Sequence, residues 1–146
     1  MEIIESIGKS KKPMEIADSS KRIEESRFQC AATVNVSNFV SAKLSDKANY
    51  RVWEAQMVCL MKSHKMFGIV DSNFDGPDAT TKEIRDQYDN LLKGWIFGSI
   101  SEDILKDVAD IETAIEVWRR IKKNYVEGHL QGISPIFFIT LSTRLL

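Results

Sequence analysis

Histidine and cysteine are scarce in this sequence, with two of each among 146 residues. His64 and His129 have no second histidine or cysteine at ligand spacing, which leaves zinc without a ligand set. Cys30 and Cys59 lie far apart, too few and too distant for a disulfide framework, and read as buried or idle thiols of a reducing compartment. An excess of one charge is also missing. The 20 basic and 21 acidic residues give a net charge of -1, so no global pull toward nucleic acid or an acidic membrane is expected. Long hydrophobic runs are absent too. The most apolar stretch, 133–146, falls short of the roughly 20 residues needed to cross a bilayer, and Pro135 and Arg144 interrupt it. Residues 1–27 alternate charged with isolated apolar positions, a pattern without the continuous apolar segment of a secretory signal. A soluble, cytoplasmic protein with no membrane partner is the expectation.

What is present is a set of amphipathic stretches, each built around one tryptophan. The chain is 43% hydrophobic, enough for a real core, and its length favours one domain. Trp53, Trp95 and Trp118 each fall mid-stretch, which predicts helices meeting around a shared aromatic core. Residues 1–36 are polar and mixed in charge and read as a mobile arm, with a transient helix over 14–28. Positions 39–44 alternate loosely and predict a short extended segment. Asn49 is placed as N-cap of a helix over about 50–66, with Tyr50, Trp53, Met57, Leu60, Met61 and His64 on one face and Gly68 as its stop. Turn formers fill 71–79. Thr80 with Glu83, or Thr81 instead, caps a helix over about 81–97 whose stripe is Ile84, Tyr88, Leu91, Leu92, Trp95 and Ile96. Gly94 inside that helix suggests close approach of another backbone. Ser101 opens a short helix at 102–108, burying Ile104, Leu105 and Val108. A last helix over about 112–126 turns Ile111, Ala114, Ile115, Trp118, Ile121 and Tyr125 inward. The fold class read from this pattern is all-α, a small bundle of about four helices behind a disordered N-terminal arm.

Reaction chemistry finds little support. Gly8-Lys9-Ser10 resembles the end of a phosphate-binding loop, but the required glycine five residues earlier is Ile3. Asp71, Asp75 and Asp78 lack EF-hand spacing and its terminal glutamate, and read as an acidic solvated loop. No nucleophile–base pair is apparent, so no catalytic residue, cofactor, metal or small-molecule substrate is assigned. The strongest functional patch is Arg119, Arg120, Lys122 and Lys123, beside the Trp118/Ile121 stripe. It could touch the phosphates of RNA, although such runs are usually the solvated half of an amphipathic helix.

The tryptophan-centred motifs point to a family. Lys43-Leu44-Ser45-Asp46, Asn49-Tyr50, Trp53 and Gln56-Met57, followed by Gly68-Ile69-Val70-Asp71, resemble the opening of the Gag-like region of plant copia-type LTR retrotransposons. Leu92-Lys93-Gly94-Trp95-Ile96, Gly98-Ser99-Ile100-Ser101-Glu102-Asp103-Ile104-Leu105 and Thr113-Ala114 with Trp118 continue the pattern in order, over about 39–125. The resemblance implies a helical, capsid-related, non-enzymatic domain that self-associates or binds other Gag-like chains around RNA. Its motif and core positions are Tyr50, Trp53, Met57, Leu60, Trp95, Ile96, Trp118 and Ile121. The CCHC zinc knuckle of such proteins is absent, so packaging of nucleic acid by a knuckle is not implied. Three parts are expected: an arm at 1–36, the Gag-like domain at 37–127, and an atypical apolar tail at 128–146. The tail leaves the pattern in an apolar, β-prone run and reads as the product of a truncated or misread gene, the alternative being a genuine tail that docks on the helices.

Overall fold

Residues 13–79 and 81–127 of the computed structural model are described here. They fall into two compact units that divide between Val34 and Asn35. In the first unit, helix α1 (Pro13–Ala32) is longer than the transient helix expected at 14–28. Proline at the first helical position gives up an N–H that has no partner there, and the segment's Lys, Arg, Glu and Ala are good helix formers. Low hydrophobicity therefore argued against a core of its own, not against a helix. Arg27 meets Glu24 one turn back at 3.1 Å. Residues 1–12 of the expected arm lie outside the described residues, as do Thr80, His129 and the expected tail.

The second unit holds α2 (Tyr50–Ser63), α3 (Lys82–Gly98), α4 (Glu102–Val108) and α5 (Ala114–Lys122). Among the described residues there is no strand, and the fold is all-α. The segment expected to be extended contributes one residue. Leu44 forms an isolated parallel bridge with Ile100, its N–H donating to Ser99 O at 2.9 Å and its carbonyl accepting from Ser101 N at 2.8 Å. Both side chains are buried.

The entry to α2 differs from the expectation. Asn49 makes no cap hydrogen bond to α2. Asp46 instead caps a 3-10 turn at Lys47–Asn49, accepting from Ala48 N and Asn49 N, and the Asn49 amide oxygen answers by accepting from Asp46 N. Asn49 Nδ2 also donates to Lys43 O at 2.8 Å. Asn49 is thus the third residue of a capping box, not the cap itself.

The end of α2 is also displaced. Lys65 takes a left-handed conformation, φ 54°. Its N–H bonds Lys62 O at 3.1 Å and the next N–H, of Met66, bonds Met61 O at 2.8 Å, the pattern of a Schellman stop. Gly68, expected as the stop, does something else. In the 3-10 turn Phe67–Ile69 its N–H donates to Asp75 O at 3.0 Å, and a Cβ there would lie 2.4 Å from Gly76 N. Backbone meets backbone there, which only glycine permits.

Thr81 caps α3, accepting from Ile84 N, and Ser101 and Thr113 cap α4 and α5 in the same way. α5 starts at Ala114, later than the expected 112, because Thr113 is its cap. It ends at Lys122 and passes into a π turn, Lys123–Glu127. Its buried row is Ala114, Val117, Trp118 and Ile121, with Ile115 only half buried, so Val117 takes the place expected of Ile115. Gly94 is not a point of close approach. A Cβ there would meet nothing within 4 Å.

Candidate functional site

The aromatic residues singled out in the sequence gather mainly where α2 meets α5. Trp53 and Trp118 lie 5.4 Å apart between ring centroids, tilted by 31°. Tyr50 approaches Trp53 at 5.8 Å and stacks almost parallel on Tyr125 of the π turn at 6.2 Å. Trp53 Nε1 donates to Ser99 Oγ at 3.0 Å, and that hydroxyl donates onward to Ile96 O at 2.8 Å. The indole N–H is thereby satisfied in a buried setting, where a missing partner would cost about 1–3 kcal/mol. Met57, Leu60, Ile96 and Ile121 are buried with them.

Trp95 is equally buried, but its ring neighbour is His64, edge-on at 5.6 Å. The Trp95 Nε1 has no hydrogen-bond partner among the described residues. The three tryptophans therefore share a core without forming one stack. Spacing along a helix fixes which face a ring occupies, but not which neighbouring element it meets.

The tyrosines carry the electrostatic signature of the cluster. Burial, then the hydrogen bond and charge of Glu54, push the Tyr50 phenol well above the ordinary tyrosine range. Tyr125 is also raised, first by burial and then by the carboxylates of Asp107, Asp46 and Asp103. Such neutral, packed phenols are suited to packing and poorly suited to proton transfer near neutrality.

Arg119, Arg120, Lys122 and Lys123 are all exposed. Arg120 is engaged, with its Nε 3.5 Å from Asp107 Oδ2, an oxygen that also accepts from Asn124 Nδ2 at 3.0 Å. Arg119, Lys122 and Lys123 have no ion-pair partner among the described residues.

Two contacts that sequence reasoning missed hold α5 in place. The Asp89 carboxylate accepts from Ala114 N at 3.1 and 3.2 Å, and Lys93 Nζ donates to Glu112 O at 2.6 Å. Asp89 and Lys93 are one turn apart on α3, a signal that becomes legible only once α5 is known to start beside them. An open hollow of about 320 Å³ borders α3, with Tyr88 and Arg85 among its lining residues. His64 does not line it. Cys30 and Cys59 are exposed free thiols, not buried ones. Among the described residues, no group of three or more His, Cys, Asp or Glu is placed to hold a metal ion. No described helix is long and apolar enough to cross a membrane.

Comparison with known proteins places this arrangement. The chain is 27% identical over 118 residues to the retrovirus-related Pol polyprotein from transposon RE2 of Arabidopsis thaliana. That similarity covers 73% of this chain and spans 8% of the length of the relative. No solved structure matches. Residues 28–144 match the Ty5 Gag N-terminal region, a stretch wider at both ends than the tryptophan motifs, and the chain belongs to that family of Gag-like retrotransposon regions.

Proposed function

We propose that the chain is a non-enzymatic structural domain that acts by associating with copies of itself or with other Gag-like chains. Family membership across residues 28–144 carries this reading. The packing supports it. The side chains most capable of chemistry are spent on internal contacts: Trp53 on Ser99, Tyr50 on Glu54, Asp89 on the start of α5. In this reading 37–127 is the associating Gag-like domain, preceded by an arm at 1–36 and followed by 128–146, and it works in the cytoplasm without a cofactor or small-molecule substrate. Sedimentation velocity of the full chain over a range of concentrations tests it. Growth of dimers or larger species with concentration is expected. A single monomeric boundary at every concentration and salt would overturn the reading.

A second reading, RNA binding through the end of α5, is favoured by one observation. Arg119, Lys122 and Lys123 are exposed without ion-pair partners among the described residues, whereas Arg120 is tied to Asp107. Single-stranded RNA should then bind with a salt slope of about -0.7 for each phosphate neutralised. Reversing the charges of Arg119, Lys122 and Lys123 should remove binding, while Arg120→Gln should leave most of it. Absence of binding at low salt would dispose of this reading.

A further inference from the structure

The surface charge is strongly polarised over two adjoining helices, although the chain as a whole is nearly neutral. On α4 and just beyond it, Glu102, Asp103, Asp107 and Asp110 are exposed, with Lys106 as the one base among them. The last turn of α5 exposes Arg119, Arg120 and Lys122, and Lys123 at the start of the π turn is exposed beside them, with the acidic Glu116 one turn earlier. At 100° per residue, Glu102, Asp103, Lys106 and Asp107 share one face of α4, and Arg119 and Arg120 share one face of α5, which Lys123 continues as the helical C-cap residue just past its end. The two patches meet at a single exposed seam, where Arg120 Nε stands 3.5 Å from Asp107 Oδ2. Asp46 joins the acidic side, since its carboxylate acts on Tyr125 together with those of Asp103 and Asp107.

This layout is self-complementary. A two-fold axis through the seam lays the acidic face of one copy over the basic face of the other, and the reverse, so the same patch serves both partners. A partner of uniform sign would satisfy one half and repel the other. We infer that the α4/α5 seam, with Asp103 and Asp110 on one side and Arg119 and Lys123 on the other, is an electrostatic dimer interface for a second copy of this chain. The inference rests on the self-association reading and specifies its surface. Charge pairing of this kind orients partners and accelerates encounter more than it adds affinity, so the dimer should be salt-sensitive.

The test uses the full chain, treated with nuclease so that bridging RNA is removed, and reads association by sedimentation velocity. Wild type should dimerise at about 50 mM salt and weaken at least about tenfold by about 300 mM. D103K/D110K and R119E/K123E should each fail to dimerise alone. An equimolar mixture of the two should form a 1:1 dimer, because every contact between them again joins opposite charges. A chain carrying all four changes should dimerise with itself. This rescue separates a lost interface from a damaged fold, as does an unchanged helical circular dichroism spectrum. Association that persists in both double variants, or no rescue in the mixture, would overturn the seam while leaving self-association standing. Wild type that never associates would overturn both.

Discussion

At Gly94 an added Cβ meets nothing within 4 Å, and the residue sits in the interior of α3 on an exposed face. Gly94→Ala should therefore raise stability by about 0.5–1 kcal/mol, because alanine loses less backbone entropy on entering a helix. At Gly68 the same methyl would press on Gly76 N at 2.4 Å and on the backbone of Phe74 and Asp75 at 2.5 Å. Gly68→Ala should lower the urea midpoint, and the opposite signs of the two changes, measured side by side, check both assignments. Tyr50 supplies a pH dependence. Its phenol holds its proton longer in the folded chain than in the unfolded one. The unfolded chain therefore ionises first, and the stability due to this group is full below about pH 10 and declines as pH rises above it. Urea unfolding between pH 9 and pH 11 should show a shallower alkaline decline in Tyr50→Phe than in wild type. An identical decline would assign the effect to other groups.

The elements themselves were legible to different depths. Most of the faces of α2 and α3 follows from period, since Trp53, Met57, Leu60 and Met61, and then Tyr88, Leu92, Trp95 and Ile96, recur at helical spacing and are buried, while His64, Ile84 and Leu91 of the same stripes are only half buried. The cap at Ser101 was readable because its hydroxyl stands directly before a helical run, whereas at α3 adjacent Thr80 and Thr81 left the choice open and the second of them is the cap. Two termini were not. Asp46 and Asn49 stand three apart, and either could cap a helix, so the sequence does not choose between a single cap and a reciprocal box. The stop of α2 rests on a lysine with positive φ, a conformation for which glycine is the usual signal. Lys65→Gly should accordingly raise the Tm through relief of left-handed strain, and a lower Tm would contradict the Schellman assignment. In the candidate site, the exposure of Arg119, Arg120, Lys122 and Lys123 was legible from amphipathicity, but the seam was not. Asp107 and Arg120 belong to different helices, and no local spacing reports a pair that tertiary packing makes.

For the molecule as a whole, the α2–α5 aromatic contact is the expected centre of stability. Trp53→Ala or Trp118→Ala should cost about 3–5 kcal/mol, which for a domain of this size would remove much of the total. Denaturant unfolding checks this, and a variant with an unchanged midpoint would remove that tryptophan from the core. Exposed charges behave oppositely. Reversing residues on the outer faces of α4 and α5 should move association far more than stability, since exposed ion pairs contribute only about 0–1 kcal/mol each.

The bond from Trp53 to Ser99 joins positions 46 apart in the chain, and the Leu44–Ile100 bridge closes the same large loop. Closing a loop of that length costs about 3 kcal/mol of chain entropy, so these ties gain favour only after α2 and α3 have formed locally. They are expected among the last steps on the way to the native state. Leu44→Ala should then accelerate unfolding and leave the refolding rate nearly unchanged in a chevron measurement. A clasp that closes late is expected to open early, so the lifetime of the folded chain should depend on this fastening as well as on the α2–α5 aromatic contact.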